Sequence, residues 1–138
     1  MSSVELNQGE IKVILDKNNT GKLSFAELGI TKESNFLEGG LLRLVFDFKQ
    51  VKDHNYFKVP TVEVFYEENM SETHWICEFN GKTILDKLDH HGHSTVLLLN
   101  RKILSDLEQH HENEMIIHAE FPKSANLNLD KSYIHFFK

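Results

Sequence analysis

LLRLVFDF, residues 41–48, places Leu42, Leu44, Phe46 and Phe48 on one side of an extended chain and Arg43 and Asp47 on the other. Successive Cβ atoms of a strand point to opposite faces, so this period of two predicts a strand with one face against a core. The same period recurs along the chain. TVEVFY groups Val62, Val64 and Tyr66, and HWICEF groups Trp75, Cys77 and Phe79. EMIIHAEF places Met115, Ile117, Ala119 and Phe121 inward, with His118 and Glu120 outward. EIKVIL alternates Ile11, Val13 and Leu15, and SYIHFF predicts a last strand. STVLLL is apolar on both parities, which predicts a central strand covered on both sides. β-branched and aromatic residues, which suit a pleated surface, are frequent throughout.

Turn residues separate these segments. Asn80-Gly81 suits the positive φ angles of a two-residue hairpin turn. Gly39-Gly40 precedes the long strand, and Pro60 and Pro122 mark strand boundaries. KQVKDHNYFKVP, EENMSET and PKSANLNLDK have loop composition. One helix is expected, NRKILSDLEQHHE, with Asn100 as N-cap and Ile103, Leu104 and Leu107 as its apolar stripe. About seven short strands and one short helix predict a mainly β fold, an antiparallel β-sandwich or jelly roll, with residues 1–138 as a single domain.

Composition narrows the function classes. The chain has 138 residues, 40% hydrophobic and 26% charged, which suits a folded domain. No run approaches the roughly 20 apolar residues of a membrane span. The start, MSSVELNQGE, has no basic region followed by an apolar core, so a cytoplasmic location is expected, with secretion of a mature domain left open. A formal charge of −6 argues against a nucleic-acid partner, whose phosphates require an excess of Lys and Arg. The nine histidines make an acidic chain sensitive to mild acidification. A single cysteine, Cys77, rules out an internal disulfide and, between two aromatics, suits a core position. There is no P-loop, dinucleotide glycine motif or nucleophile elbow. Asp89, His93 and Ser94 have the residue types of a catalytic triad but lie too close in sequence to adopt its geometry unaided.

Two stretches carry site chemistry. DKNNTGKLSFAEL, Asp16 to Leu28, resembles an EF-hand calcium loop. The oxygen ligands would be Asp16, Asn18, Thr20, the carbonyl of Lys22, Ser24 and Glu27, around Gly21. Only Asp16 and Glu27 are carboxylates, and the flanks alternate as strands do. The adopted reading is therefore a β-hairpin in which Gly21 supplies a left-handed backbone position.

The second stretch is LDHHGHSTVLLL. His91 and His93 share one side of an extended chain, and such a pair can hold Zn or Fe through imidazole nitrogen. On a jelly roll the pair resembles a cupin site, which implies a third ligand from another strand. His118 and Glu120 are the candidates by face. The adopted reading is solvated loop histidines, since no carboxylate follows the pair. By elimination the sequence predicts a non-enzymatic module, without a cofactor, that binds a protein or small-molecule ligand through its loops. Tyr56 and Phe57 in KDHNYF are the contact candidates. The alternatives are a cupin-like metal enzyme and a calcium-binding module.

Overall fold

The computed structural model describes residues 3–7, 10–14, 21–30, 40–47, 60–69, 72–90, 92–99, 114–123 and 125–136. These form ten strands: β1 (Ser3–Asn7), β2 (Glu10–Ile14), β3 (Gly21–Ser24), β4 (Leu41–Asp47), β5 (Pro60–Tyr66), β6 (Thr73–Phe79), β7 (Lys82–Asp89), β8 (Ser94–Leu97), β9 (Glu114–Glu120) and β10 (Leu127–Phe136). They make a six-stranded sheet in the order β1-β2-β4-β9-β6-β7 and a four-stranded sheet in the order β3-β10-β5-β8. All pairings are antiparallel except β2 with β4.

The pairing follows one rule from β3 onward. β6 pairs with β7, β5 with β8, β4 with β9 and β3 with β10, like nested hairpins. Alternate rungs of this ribbon fall in different sheets, and the β10–β5 and β6–β9 pairings close each sheet. A long antiparallel ribbon wrapped in this way is a jelly roll. Its tip is the β6–β7 hairpin. Asn80 at φ 50° and Gly81 at φ 82° supply the two left-handed residues of the turn, as the sequence predicts. The β1–β2 pair extends the large sheet beyond β4.

Both inner faces meet in one core. Leu42, Leu44 and Phe46 of β4, Trp75, Cys77 and Phe79 of β6, and Met115, Ile117 and Ala119 of β9 come from the large sheet. Val62, Val64, Leu97 and Ile134 answer from the small sheet, and Phe25, Leu28 and Ile30 pack in behind β3. Trp75 is fully buried, and truncating such a ring costs about 3–5 kcal/mol. Burial between aromatics pushes the Cys77 thiol up to about 12, so it is inert as a nucleophile near neutral pH.

Several expectations are corrected. The two arms of the expected hairpin, IKVIL and GKLS, do not pair with each other: β2 lies in the large sheet and β3 in the small one. The alternation of each arm was informative about strand character but not about partner. Gly21 does take a positive φ, 96°, as the first residue of β3. STVLLL is not a central strand. β8 lies at the end of the small-sheet order, with Thr95 and Leu97 buried and Leu98 62% exposed. Part of the PKSANLNLDK loop is strand, since β10 begins at Leu127. On β4 both faces are covered near its end: Val45 and Asp47 are buried, with Lys12 Nζ 3.8 Å from Asp47 Oδ2. Pro60 opens β5 and Pro122 follows β9, as expected. The predicted helix at residues 100–112 lies outside the described residues.

Candidate functional site

The outer face of the small sheet is hollowed into a groove of about 470 Å³, within the range of small-molecule sites. Strand alternation supplies its floor. With Val62, Val64 and Ile134 turned inward, Glu63 and Phe65 of β5 and Tyr133 of β10 face outward. Lys22 and Ser24 of β3 line the far side. In register, Tyr133 stands between Ser24 and Glu63.

One wall comes from an irregularity in β10. Its pairing with β5 passes from Asn128 opposite Phe65 directly to Tyr133 opposite Glu63. Within this stretch Leu129 and Ser132 stay buried, while Asp130 and Lys131 turn outward to the groove. Buried Ser132 pins the bulge. Its Oγ accepts the N–H of Phe65 at 3.0 Å and donates to the Asn128 carbonyl at 2.7 Å. The Ser132 carbonyl accepts the N–H of Phe25 at 2.9 Å.

The other wall is the turn after β3. Ser24 Oγ accepts the Glu27 N–H at 3.1 Å, and Glu27 Oε2 accepts the Ser24 N–H at 3.3 Å. This reciprocal pair is a capping-box arrangement, and it turns Phe25 and Leu28 into the core. Glu27, the twelfth position of the calcium-like loop, thus braces its own turn.

The floor is ordered by contacts among its own side chains. The Tyr133 hydroxyl donates to Glu63 Oε1, and Ser94 Oγ donates to Glu63 Oε2 at 3.0 Å. The bond to the Glu63 carboxylate, with burial and the nearby negative charge, pushes the Tyr133 phenol up to about 12. Tyr133 is therefore a neutral donor throughout the physiological range. Lys22 Nζ sits 3.8 Å from the Tyr133 ring centroid, a cation–π contact worth about 0.5–1 kcal/mol at an exposed site. The Phe65 and Tyr133 rings lie 6.4 Å apart at 38°.

Lys22, Ser24 and Glu27, three of the calcium-ligand positions of the EF-hand-like stretch, meet in this groove. Asp16, Asn18 and Thr20 lie outside the described residues, as do His91, Tyr56 and Phe57. His93 is exposed just before β8 in the small sheet, and its carbonyl accepts the Tyr66 N–H at 2.8 Å. His118 and Glu120 lie on β9 in the large sheet, on the outer parity. There His74 Nε2 is 2.6 Å from Asp86 Oδ1, and its Nδ1 is 3.8 Å from Glu120 Oε2. Among the described residues no three His, Cys, Asp or Glu side chains are grouped as a metal ion requires. Asp89 and Ser94 make no relay with His93: Asp89 accepts from Thr95 and Val96, and Ser94 donates to Glu63.

Glu63, Phe65, Asp130, Lys131 and Tyr133 were not singled out from sequence. A signal existed for two of them. Phe65 and Tyr133 are aromatics on the polar parity of their strands, where a purely structural sheet face would carry short or charged residues. The chain matches no family model and no curated protein.

Proposed function

We propose that this protein is a non-enzymatic binding module whose ligand seat is the outer groove of the small sheet, rather than its loops. The observation that carries this reading is the ordering of the floor. Tyr133, Glu63, Ser94 and Lys22 hold one another in place, so a ligand would meet a preformed surface at little cost in side-chain entropy. The Glu63 carboxylate uses these contacts to hold Tyr133 and Ser94, a scaffolding role rather than a reactive one.

The test is a thermal-shift screen of a chemically diverse small-molecule library, with hits mapped by amide NMR. Hits should move the amides of Lys22, Phe65 and Tyr133. Hits that perturb only other surfaces would remove the groove from the account.

A further inference from the structure

We infer that the groove takes a neutral, polyhydroxylated ligand of the saccharide class, an inference that rests on the binding-module reading above. The groove presents Lys22 and Lys131 together with Glu27, Glu63 and Asp130. An anionic ligand would face three carboxylates and a cationic one two ammonium groups, at distances where like charges repel. A polyol meets neither penalty. Each hydroxyl can donate to a carboxylate and accept from an ammonium group, so a mixed lining suits it as it suits no single-sign ligand.

Acceptor capacity is available in the right place. A carboxylate offers about four lone-pair sites. Glu63 takes one bond from Tyr133 and one from Ser94, which fixes its plane and leaves sites for ligand hydroxyls. The apolar component is present too. The ammonium of Lys22 covers one face of Tyr133, so Phe65, tilted beside it, is the ring against which the C–H face of a sugar would lie. Phe65 is held there through its own backbone by the Ser132 pin. An aromatic platform flanked by carboxylate acceptors and ammonium donors recognises a pyranose through both of its surfaces. The groove is open rather than enclosed between the sheets, so a chain of sugar units can run across it.

The test uses the full chain and six soluble hexasaccharides, followed by amide NMR. Four are neutral: cellohexaose, mannohexaose, xylohexaose and N-acetylchitohexaose. Two are charged: hexaglucosamine and hexagalacturonate. At least one neutral oligomer should shift Phe65, Tyr133 and Ser24, with an affinity unchanged between low and high salt. Phe65→Ala and Glu63→Gln should each weaken that binding about tenfold or more, while their far-UV spectra stay those of the parent. If only a charged oligomer shifts these amides, the inferred ligand class is wrong while the groove stands as a binding site. If no hexasaccharide shifts them, the saccharide inference fails, and the library screen decides the groove separately.

Discussion

Ser94 and Thr95 are neighbours on β8, and each hydroxyl donates to a carboxylate, but the two bonds lie on opposite faces of the small sheet. Thr95 points between the sheets. Its Oγ1 donates to Asp89 Oδ2 at 2.7 Å and accepts the Trp75 indole N–H at 2.6 Å, all in buried surroundings. Ser94 points outward to Glu63, which also accepts from Tyr133 at the floor of an open groove. The inner cluster is sealed by the core. Its Asp89 also takes the Val96 N–H at 3.0 Å and so ties the end of β7 to the start of β8. The outer cluster is equally well ordered but leaves capacity facing solvent. Hydrogen bonds of the same kind therefore serve cohesion on one face and recognition on the other, and what separates them is the parity of one residue along a strand.

Substitutions can test that separation. Asp89→Ala should have the largest effect. It strips the acceptor from the Thr95 hydroxyl and the Val96 N–H inside the sandwich, and about 3 kcal/mol should be lost in urea denaturation. A loss close to zero would mean that the inner cluster is not cohesive. Thr95→Val keeps shape but leaves the Trp75 indole N–H without its acceptor. It should cost about 1.5 kcal/mol and alter Trp fluorescence.

Tyr133 offers a titration. Its folded pKa, about 12, exceeds the ordinary value of 10.0, so the fold favours the protonated phenol. That contribution is complete below pH 10.0 and is lost as pH rises through about 12. Ultraviolet titration of Glu63→Gln should show this phenol ionising closer to pH 10.0, because the substitution removes both the charged acceptor and the negative charge. An unchanged profile would break the assignment of Glu63 as the cause.

On the large sheet His74 gives the mirror case for an exposed pair. The hydrogen bond to Asp86 is the main cause that raises its pKa above the ordinary 6.5. The small stabilisation from this pair should be full below pH 6.5 and should fade as pH climbs through the raised value. His74→Gln should flatten that slope in melting curves across the neutral range. The smallest effect is expected for Ser94→Ala, within about 0.5 kcal/mol, because water can replace the hydroxyl at the half-buried Glu63 carboxylate. A larger loss would erase the distinction drawn between the two sides of β8.

Alternation made the sandwich legible: the inward residues of β4, β5, β6 and β9 are the ones its parity named. Asn80-Gly81 was legible because only residues tolerant of positive φ fit that turn. Partner choice was not legible. Nothing local in IKVIL or GKLS states that these arms enter different sheets, since pairing depends on residues far away in sequence. β8 misled because an apolar run is compatible with a doubly covered strand and with an edge whose end is exposed. The groove was hidden for a related reason. Its lining comes from three strands, the turn after β3 and the β10 bulge, and the bulge sits in a stretch whose Asn, Asp and Lys content has the character of loop. The two aromatics on polar parity, Phe65 and Tyr133, are the local signal that the sequence reading passed over.

The nested ribbon also sets an order of assembly. β10 lies between β3 and β5, so the groove floor is shared between a strand made early and one made late. Gly21 pairs with Phe136, across nearly the whole described chain, whereas the β6–β7 rung closes over a two-residue turn. Contacts so distant in sequence slow folding, because the chain between them must be ordered first. During synthesis the β5 edge stays open until β10 has left the ribosome. The Phe65 N–H points to this edge, and it meets its acceptor, Ser132 Oγ, only when β10 arrives.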